Sequence, residues 1–174
     1  WGNPLPYLDG VVTIIVQDTN TETLKFEAGQ TDELDIQAQD YPKVKQNETN
    51  GDYKVMNLGP TWGNSYICFN QNPDSAAAFK NPAKIKLFQD ERFRQAVSYA
   101  INRNRLAQSV FLGLASPMYG PESEANKLFF DPNTPKYEFS IPKARALLAQ
   151  IGLKDTDGDG IVELNGQPLT FNIL

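Results

Sequence analysis

The most specific chemical pattern in this sequence is an acidic loop near its C-terminal end. The loop reads Asp155-Thr156-Asp157-Gly158-Asp159-Gly160-Ile161-Val162-Glu163. Hard cations such as Ca²⁺ take several oxygen ligands at ~2.3–2.6 Å, and alternating carboxylates allow one loop to wrap around the ion. The spacing matches the first half of an EF-hand calcium loop. The candidate ligands are the side chains of Asp155, Asp157, Asp159 and Glu163 and the main-chain carbonyl of Ile161.

The same loop has a second interpretation. The twelfth position of the calcium pattern, which should carry a bidentate glutamate, is Gly166. The ligand set is therefore incomplete, which predicts a weak site or one that is assembled differently. The alternative is an acidic turn whose aspartate side chains accept hydrogen bonds from their own backbone. Both interpretations stay open at this point.

The residue types give little support for a zinc site, a catalytic site or a nucleotide-binding site. The chain has no histidine and one cysteine, Cys68, which excludes the usual zinc ligand sets, histidine-based triads and a Cys–His pair. It contains no GxGxxG, Walker A or GxSxG motif. No spacing singles out an acid–base pair among five further carboxylates. These are Asp32, Glu33, Asp35, Glu122 and Glu124. The sequence therefore predicts no enzyme.

The overall composition predicts a globular domain. The chain has 174 residues, of which 40% are hydrophobic and 21% charged, as in soluble proteins with a sizeable core. Its net charge of −5 lacks the basic footprint of a nucleic-acid-binding protein. No apolar run approaches the ~18 residues of a membrane helix, and no signal peptide is visible. Because the chain starts at Trp1 without methionine and stops in a strand-like segment, we expect it to be a piece of a longer protein.

The first third of the chain reads as alternating short strands and helices. Runs of β-branched and aromatic residues predict the strands, and aspartate N-caps predict the helices. The predicted strands are 11–16, 32–36 and a segment that starts at Tyr53; the helices follow Asp18 and Asp40, the second over 41–46. Gly59-Pro60 is the predicted boundary between this region and the rest.

The remainder of the chain predicts one strand, three main helices and a hairpin. The strand is 64–70, and a helical turn is expected over 75–79. Asp90 is the predicted N-cap of the first helix and an i,i+4 partner of Arg94. That helix has an apolar stripe of Phe93, Ala96, Val97, Ala100 and Ile101. Asn104 should cap a second helix with the stripe Leu106, Ala107, Val110 and Phe111, and a third should start at Ser140 or Ile141 with the stripe Ala144, Leu147, Leu148 and Ile151.

Two connections complete this plan. Residues 116–137 contain four prolines and predict a long surface loop, a type of segment that is often functional. Asn165-Gly166 predicts a tight hairpin turn, followed by a strand from Pro168 onward. Trp62 and Tyr119 both lie in irregular surroundings rich in glycine and proline, which makes them candidate contact residues. The alternative for each is packing in the core or anchoring of a loop.

The sequence from Phe88 to Arg103 resembles that of a known protein family. It reads Phe88-Gln89-Asp90-Glu91-Arg92-Phe93-Arg94-Gln95-Ala96-Val97-Ser98-Tyr99-Ala100-Ile101-Asn102-Arg103. This is similar to the "F-D-x-R-V-R-Q-A-x-x-Y-A-I-D-R" signature of the ABC-transporter extracytoplasmic solute-binding proteins of family 5, the oligopeptide/dipeptide-binding class. Further segments match in order along nearly the whole chain: Trp1-Gly2, Tyr7-Leu8-Asp9, Phe26 to Ile36, Tyr66 to Asn70, Tyr119-Gly120-Pro121 and Lys143 to Leu148.

The resemblance implies an α/β fold of mixed α+β character, a fragment of a two-lobed periplasmic-binding-protein-like fold that spans the hinge. Residues 1–59 would be the end of the first lobe, and residues 60–174 the hinge strand and the start of the second. The family's crossover strand contributes ligand contacts. The candidate ligand-binding residues are therefore Thr61, Trp62, Gly63 and Tyr66, joined by Tyr119 in the loop after the tandem helices. The family's carboxylate for a peptide amino terminus would lie beyond Leu174.

The function implied is that of the solute-binding component of an ABC importer. It would capture a peptide-like solute outside the membrane by hinge closure and deliver it to an ABC permease. We expect a non-enzymatic monomer that is periplasmic or a membrane-tethered lipoprotein, with no nucleic-acid partner and no cofactor except a possible structural calcium. The alternative is a calcium-stabilised interaction module that uses Asp155 to Glu163. A hydrolase that uses unpaired carboxylates has no positive support.

Overall fold

The computed structural model describes Gly2, residues 4–75 and residues 80–171. Within these residues it contains six helices and one two-stranded hairpin. The helices are α1 (Thr19–Glu27), α2 (Tyr41–Gln46), α3 (Pro82–Gln89), α4 (Glu91–Ala100), α5 (Arg103–Ser109) and α6 (Ile141–Gln150), and the strands are β1 (Glu163–Leu164) and β2 (Gln167–Pro168). The chain divides into two compact units, residues 1–57 and 58–174. The helical turn predicted over 75–79 falls mostly outside the described residues.

The first unit is organised by α1 and α2. The predicted cap of α1 is confirmed, since Asp18 Oδ1 accepts a hydrogen bond from the Thr21 amide at 3.1 Å. Helix α2 forms at the predicted residues, but its N-cap Asp40 makes no side-chain cap bond. Val44 of α2 is buried, and Tyr53 donates a hydrogen bond from its hydroxyl to the Val44 carbonyl at 2.7 Å.

The predicted strands at 11–16, at 32–36, from Tyr53 to near Gly59 and at 64–70 are wrong for the described structure, in which these segments form no strand pairing. Val12 and Ile15, for example, are 87% and 92% exposed. A β-branched run favours an extended backbone, but a strand also requires a neighbour that supplies its ladder of hydrogen bonds. No such neighbour lies beside these segments within the described residues.

The core of the second unit lies around α3, α4 and the start of the acidic loop. Leu87, Phe93 and Leu153 are its buried centre. The rings of Phe69 and Phe88 pack against it, with centroids 5.5 Å and 5.8 Å from that of Phe93. Helix α6 packs on α4. This core supports the elements that carry the candidate site.

The predicted cap of α4 is confirmed, but its predicted ion pair is not. Asp90 Oδ1 accepts a hydrogen bond from the Arg92 amide at 2.9 Å. The Asp90 carboxylate pairs with the Arg92 guanidinium at 2.7 Å, and Arg94 donates to the Phe88 carbonyl at 2.8 Å instead. The capping geometry holds the carboxylate at the first turn of the helix, where the Arg92 side chain folds back onto it.

Helix α5 starts two residues earlier than predicted. Its N-cap is Asn102, which accepts a hydrogen bond from the Arg105 amide at 2.9 Å, and Asn104 lies within the helix. Of its predicted stripe only Ala107 is buried, while Leu106, Val110 and Phe111 are exposed. The stripe of α4 is buried at Phe93 and Ala96 and half-buried at Val97 and Ile101, whereas Ala100 is exposed. Amphipathic spacing thus identified α5 but not the extent of its burial.

The C-terminal elements follow local signals. Helix α6 has Ser140 as its N-cap, and Gly152, at φ +82°, takes the left-handed conformation that ends it. Of its predicted stripe, Ala144 is buried and the other three residues are half-buried. Asn165 and Gly166 both have positive φ, as a tight type I′ turn requires, so the predicted hairpin is confirmed. Strand β2 covers Gln167–Pro168, one residue before the predicted start, and of the predicted strand from Pro168 onward the described residues 169–171 are not in a strand.

Candidate functional site

The predicted crossover segment, Thr61 to Tyr66, presents its aromatic side chains to the solvent. Trp62 is 72% exposed and Tyr66 is 80% exposed. The segment has no helix or strand assignment, and Thr61 and Gly63 are exposed as well. All four candidate residues of this segment are therefore accessible to a ligand.

The backbone of this segment is attached to the long loop of residues 116–137. The Ser123 hydroxyl donates a hydrogen bond to the Thr61 carbonyl, and Asn64 Nδ2 donates to the Pro121 carbonyl at 2.8 Å. Ser123 is only 4% exposed, and its oxygen also accepts from the Ala125 amide at 3.1 Å. The segment thus has a tethered backbone and exposed side chains, which is a suitable arrangement for binding.

Arg103 positions Tyr119, the fifth candidate residue. The guanidinium carbon of Arg103 lies 5.0 Å from the centroid of the Tyr119 ring, within the range of a cation–π contact. The same guanidinium donates to the Ser98 carbonyl at 3.0 Å and to the Ser98 hydroxyl at 2.8 Å. A longer hydrogen bond, of 3.4 Å, reaches the Tyr137 carbonyl. Arg103 therefore connects the C-terminal end of α4 with both ends of the long loop.

The far end of the loop is held by further contacts with α4. The rings of Tyr99 and Tyr137 meet edge to face, with centroids 5.4 Å apart. Gln95 Nε2 lies 3.3 Å from the Tyr137 hydroxyl, and the Ser140 amide donates to the Tyr99 carbonyl at 2.8 Å. The predicted loop has little regular structure, but these contacts order its ends.

A cavity of about 230 Å³ lies within this loop. It is lined by Gly120, Pro121, Glu122, Phe129, Phe130, Asp131 and Thr134. Two parts of the loop meet closely there, because a Cβ atom added to Gly120 would lie 3.1 Å from Thr134 Oγ1. Sequence reasoning missed this cavity, as it missed Ser123 and Asn64. The only available signal was the length of the loop together with its prolines and paired aromatic residues.

The acidic loop brings its four predicted carboxylates together. Asp155, Asp157, Asp159 and Glu163 each offer one oxygen, and these atoms all lie within 4.8 Å of one another. The same side chains accept backbone hydrogen bonds: Asp155 from the Gly158 amide at 2.7 Å, and Glu163 from the Thr156 amide at 2.9 Å. Ile161, the predicted carbonyl ligand, donates its amide to Asp159 Oδ1 at 2.7 Å. The loop thus combines the hydrogen bonds of an acidic turn with the carboxylate spacing of a cation site.

Comparison with known proteins identifies the family. The family of bacterial extracellular solute-binding proteins, family 5 Middle, matches residues 1–174. The chain belongs to this family. This confirms the resemblance that the segment from Phe88 to Arg103 indicated. Among the described residues no helix is long and apolar enough to span a bilayer.

Relatives of this family-5 chain include oligopeptide-binding proteins. It is 30% identical over 169 residues to the oligopeptide-binding protein AppA of Bacillus subtilis strain 168, which covers 97% of the chain and 28% of AppA. It is 32% identical over 178 residues to a probable ABC transporter-binding protein of Deinococcus radiodurans, covering 99% of the chain and 29% of that protein. The chain therefore spans less than a third of the length of these relatives.

The fold agrees with a solved structure of the same family. The structure of AppA from Bacillus subtilis in complex with a nonapeptide matches with a TM-score of 0.65 and 31% identity, over 88% of this chain and 28% of that chain. The predicted class, a mixed α/β chain with a periplasmic-binding-protein-like fold, is thereby confirmed. The lobe boundary at residue 59 and the five ligand-binding residues stay predictions.

Proposed function

We propose that the protein carrying this chain is the solute-binding component of an ABC importer and that its solute is a peptide. The observation that carries this proposal is the match, at 31% identity and a TM-score of 0.65, to a family member in complex with a nonapeptide. The protein would act outside the membrane as a monomer, without catalysis, and deliver its solute to an ABC permease.

The segment from Thr61 to Tyr66 would meet the solute. Its exposed Trp62 and Tyr66 rings offer large contact areas, and Tyr119 adds a third ring that Arg103 already positions. Because Ser123 holds the backbone of the segment, less conformational entropy is lost when a solute binds. A solute that binds the closed state more tightly than the open state would shift the hinge towards closure by this difference in binding free energy.

Calorimetric titration of the natural full-length protein with a panel of peptides tests this proposal. We expect Tyr66→Ala to weaken peptide binding by roughly tenfold, because truncating an aromatic contact costs on the order of 1–2 kcal/mol. Tyr7→Ala removes an exposed tyrosine from the first unit and is the matched control. If no peptide bound to the wild-type protein, the peptide assignment would be wrong. If Tyr66→Ala bound peptides with wild-type affinity, the proposed role of the crossover segment in solute binding would be wrong.

A second proposal concerns the acidic loop, where the proximity of four carboxylate oxygens favours a structural calcium ion. The ion would stabilise the protein because it binds the folded state and not the unfolded chain. Differential scanning calorimetry in calcium and in EDTA should then show a shift of several degrees, and Asp157→Asn should remove the shift. Asp74→Asn, which changes an exposed aspartate elsewhere, is the control. Equal melting temperatures in calcium and EDTA would identify the loop as an acidic turn.

A further inference from the structure

The cavity in the long loop combines acidic groups with aromatic rings. Glu122 and Asp131 both line it, and within the described residues neither carboxylate forms an ion pair with a lysine or an arginine. Phe129 and Phe130 line it too, and Phe129 is largely exposed. Carboxylates attract organic cations through charge-assisted hydrogen bonds, and ring faces attract them through cation–π contacts. The lining of the cavity therefore combines two kinds of group that attract organic cations.

The carboxylates are oriented by the protein and retain acceptor capacity. Glu122 Oε2 accepts a hydrogen bond from Nδ2 of the buried Asn126 at 2.9 Å, and Asp131 Oδ1 accepts from the Asn133 amide at 2.8 Å. The second oxygen of each carboxylate has no hydrogen bond to the described residues. Each group is thus partly fixed in position and still has an oxygen available for an incoming donor.

The size and lining of the cavity narrow the kind of cation. Its volume of about 230 Å³ is below the ~300–1,000 Å³ of pockets that hold a whole drug-sized ligand, so it suits a single side chain or head group. A calcium ion would require six to eight oxygen ligands, whereas two phenylalanine rings supply none. An ammonium or guanidinium group on an alkyl chain fits both the charge and the apolar walls.

The cavity also lies beside the segment that is proposed to meet the solute. Pro121, which forms part of its wall, accepts the hydrogen bond from Asn64. We propose that this cavity is a subsite for a cationic group of the solute, namely the side chain of an arginine or a lysine. The subsite rests on the proposed solute-binding function and adds a preference for basic peptides to it.

Two assays on the natural full-length protein test the subsite. The first is fluorine NMR of protein labelled with 4-fluorophenylalanine, titrated with N-acetylarginine amide or its neutral analogue N-acetylcitrulline amide. Phe129→Leu and Phe130→Leu assign the two resonances. We expect the arginine compound, and not the citrulline compound, to shift them. The second assay compares the affinities for pentapeptides of alanine with one arginine and with one citrulline, where we expect a preference for arginine of roughly tenfold at one position.

Neutral, similarly shaped variants provide the decisive comparison. Glu122→Gln combined with Asp131→Asn should abolish the arginine-specific shift and the preference for arginine, since both charges are removed. Glu124→Gln combined with Glu138→Gln removes the same charge from neighbouring positions that do not line the cavity, and should leave both signals intact. The subsite would be overturned if the citrulline compound gave an equal shift, or if the first double variant retained the arginine signals.

The outcomes also separate the subsite from the proposed function. Peptide binding without an arginine-specific shift overturns the subsite and leaves the proposed function in place. An arginine-specific shift in a protein that binds no peptide supports the subsite and overturns the peptide assignment. Because the guanidinium contact is electrostatic and partly exposed, raising the salt concentration should weaken the arginine response. A response that did not depend on salt would contradict the proposed role of the carboxylates.

Discussion

Replacing Arg103 should loosen the long loop that carries Tyr119 and the cavity. Arg103→Ala removes two short hydrogen bonds to Ser98, one long bond to Tyr137 and the contact with the Tyr119 ring. For a half-buried guanidinium we assign about 1 kcal/mol to each short bond, about 0.5–1 kcal/mol to the ring contact and nothing to the long bond. The expected loss of local stability is therefore about 2.5–3 kcal/mol.

Hydrogen exchange of the natural full-length protein measures this loss where it occurs. The Ala125 amide, which is bonded to the Ser123 hydroxyl, reports on the loop, and the Ser140 amide reports on its attachment to Tyr99. Arg103→Lys should recover only part of the stability, because an ammonium group cannot reproduce the planar fork of the guanidinium. Arg105→Ala is the matched control, since its side chain is exposed and should change protection by less than about 0.5 kcal/mol.

A double-mutant cycle of Arg103→Ala with Tyr119→Leu tests the cation–π contact itself. If the two residues stabilise the loop together, the losses should be non-additive by about 0.5–1 kcal/mol. Strict additivity, or a loss below about 0.5 kcal/mol for Arg103→Ala alone, would refute the view that Arg103 positions Tyr119.

Three further predictions concern the same unit. Ser123→Ala removes the donor to the Thr61 carbonyl, so it should lower the free energy of unfolding in urea by about 1–2 kcal/mol and weaken solute binding. Solute binding at wild-type affinity would contradict the view that Ser123 holds this segment in place. Gly120→Ala should lower the melting temperature, because its Cβ would lie 3.1 Å from Thr134 Oγ1, and it should lower it less in a Thr134→Ala background, where that oxygen is absent. The hydrogen bond from Arg92 lowers the pKa of the Asp90 carboxyl group. The ionised carboxylate therefore stabilises the fold above its unfolded pKa of ~3.9, and this stability is lost as the pH falls through the lower folded pKa. Asp90→Asn keeps a good cap and should therefore cost less than about 1 kcal/mol at pH 7, and this cost should decrease as the pH falls, as calorimetry at neutral and acidic pH can check.

Local signals in the sequence predicted the local structure well. Asp18, Asp90 and Ser140 cap the expected helices because an N-cap acts on amides two or three residues away. Asn165 and Gly166 form the expected turn because a type I′ turn requires positive φ at both central residues, and asparagine and glycine adopt it more readily than other residues. These features depend on a few adjacent residues, so the sequence contains what decides them.

Features that depend on distant residues were not predictable in the same way. The run 11–16 has strand composition, but pairing depends on a neighbour that composition does not identify. Similarly, nothing in the sequence indicates that Ser123 bonds to Thr61, 62 positions away. The candidate residues Thr61 to Tyr66 came from the family resemblance, whereas the contacts that hold them came only from the structure.

The arginines of the family signature explain why that signature identifies a scaffold rather than a binding site. Arg92 pairs with the cap of its own helix, Arg94 bonds to the Phe88 carbonyl, and Arg103 bonds to Ser98 at the end of α4. Each guanidinium group thus bonds to other residues of this chain, which indicates a structural role for α4. Arg103 alone also contacts the loop, through the Tyr119 ring. Because the next residues of that loop form the cavity wall and bond to the crossover segment, a change in solute preference can arise in the loop without any change in the signature.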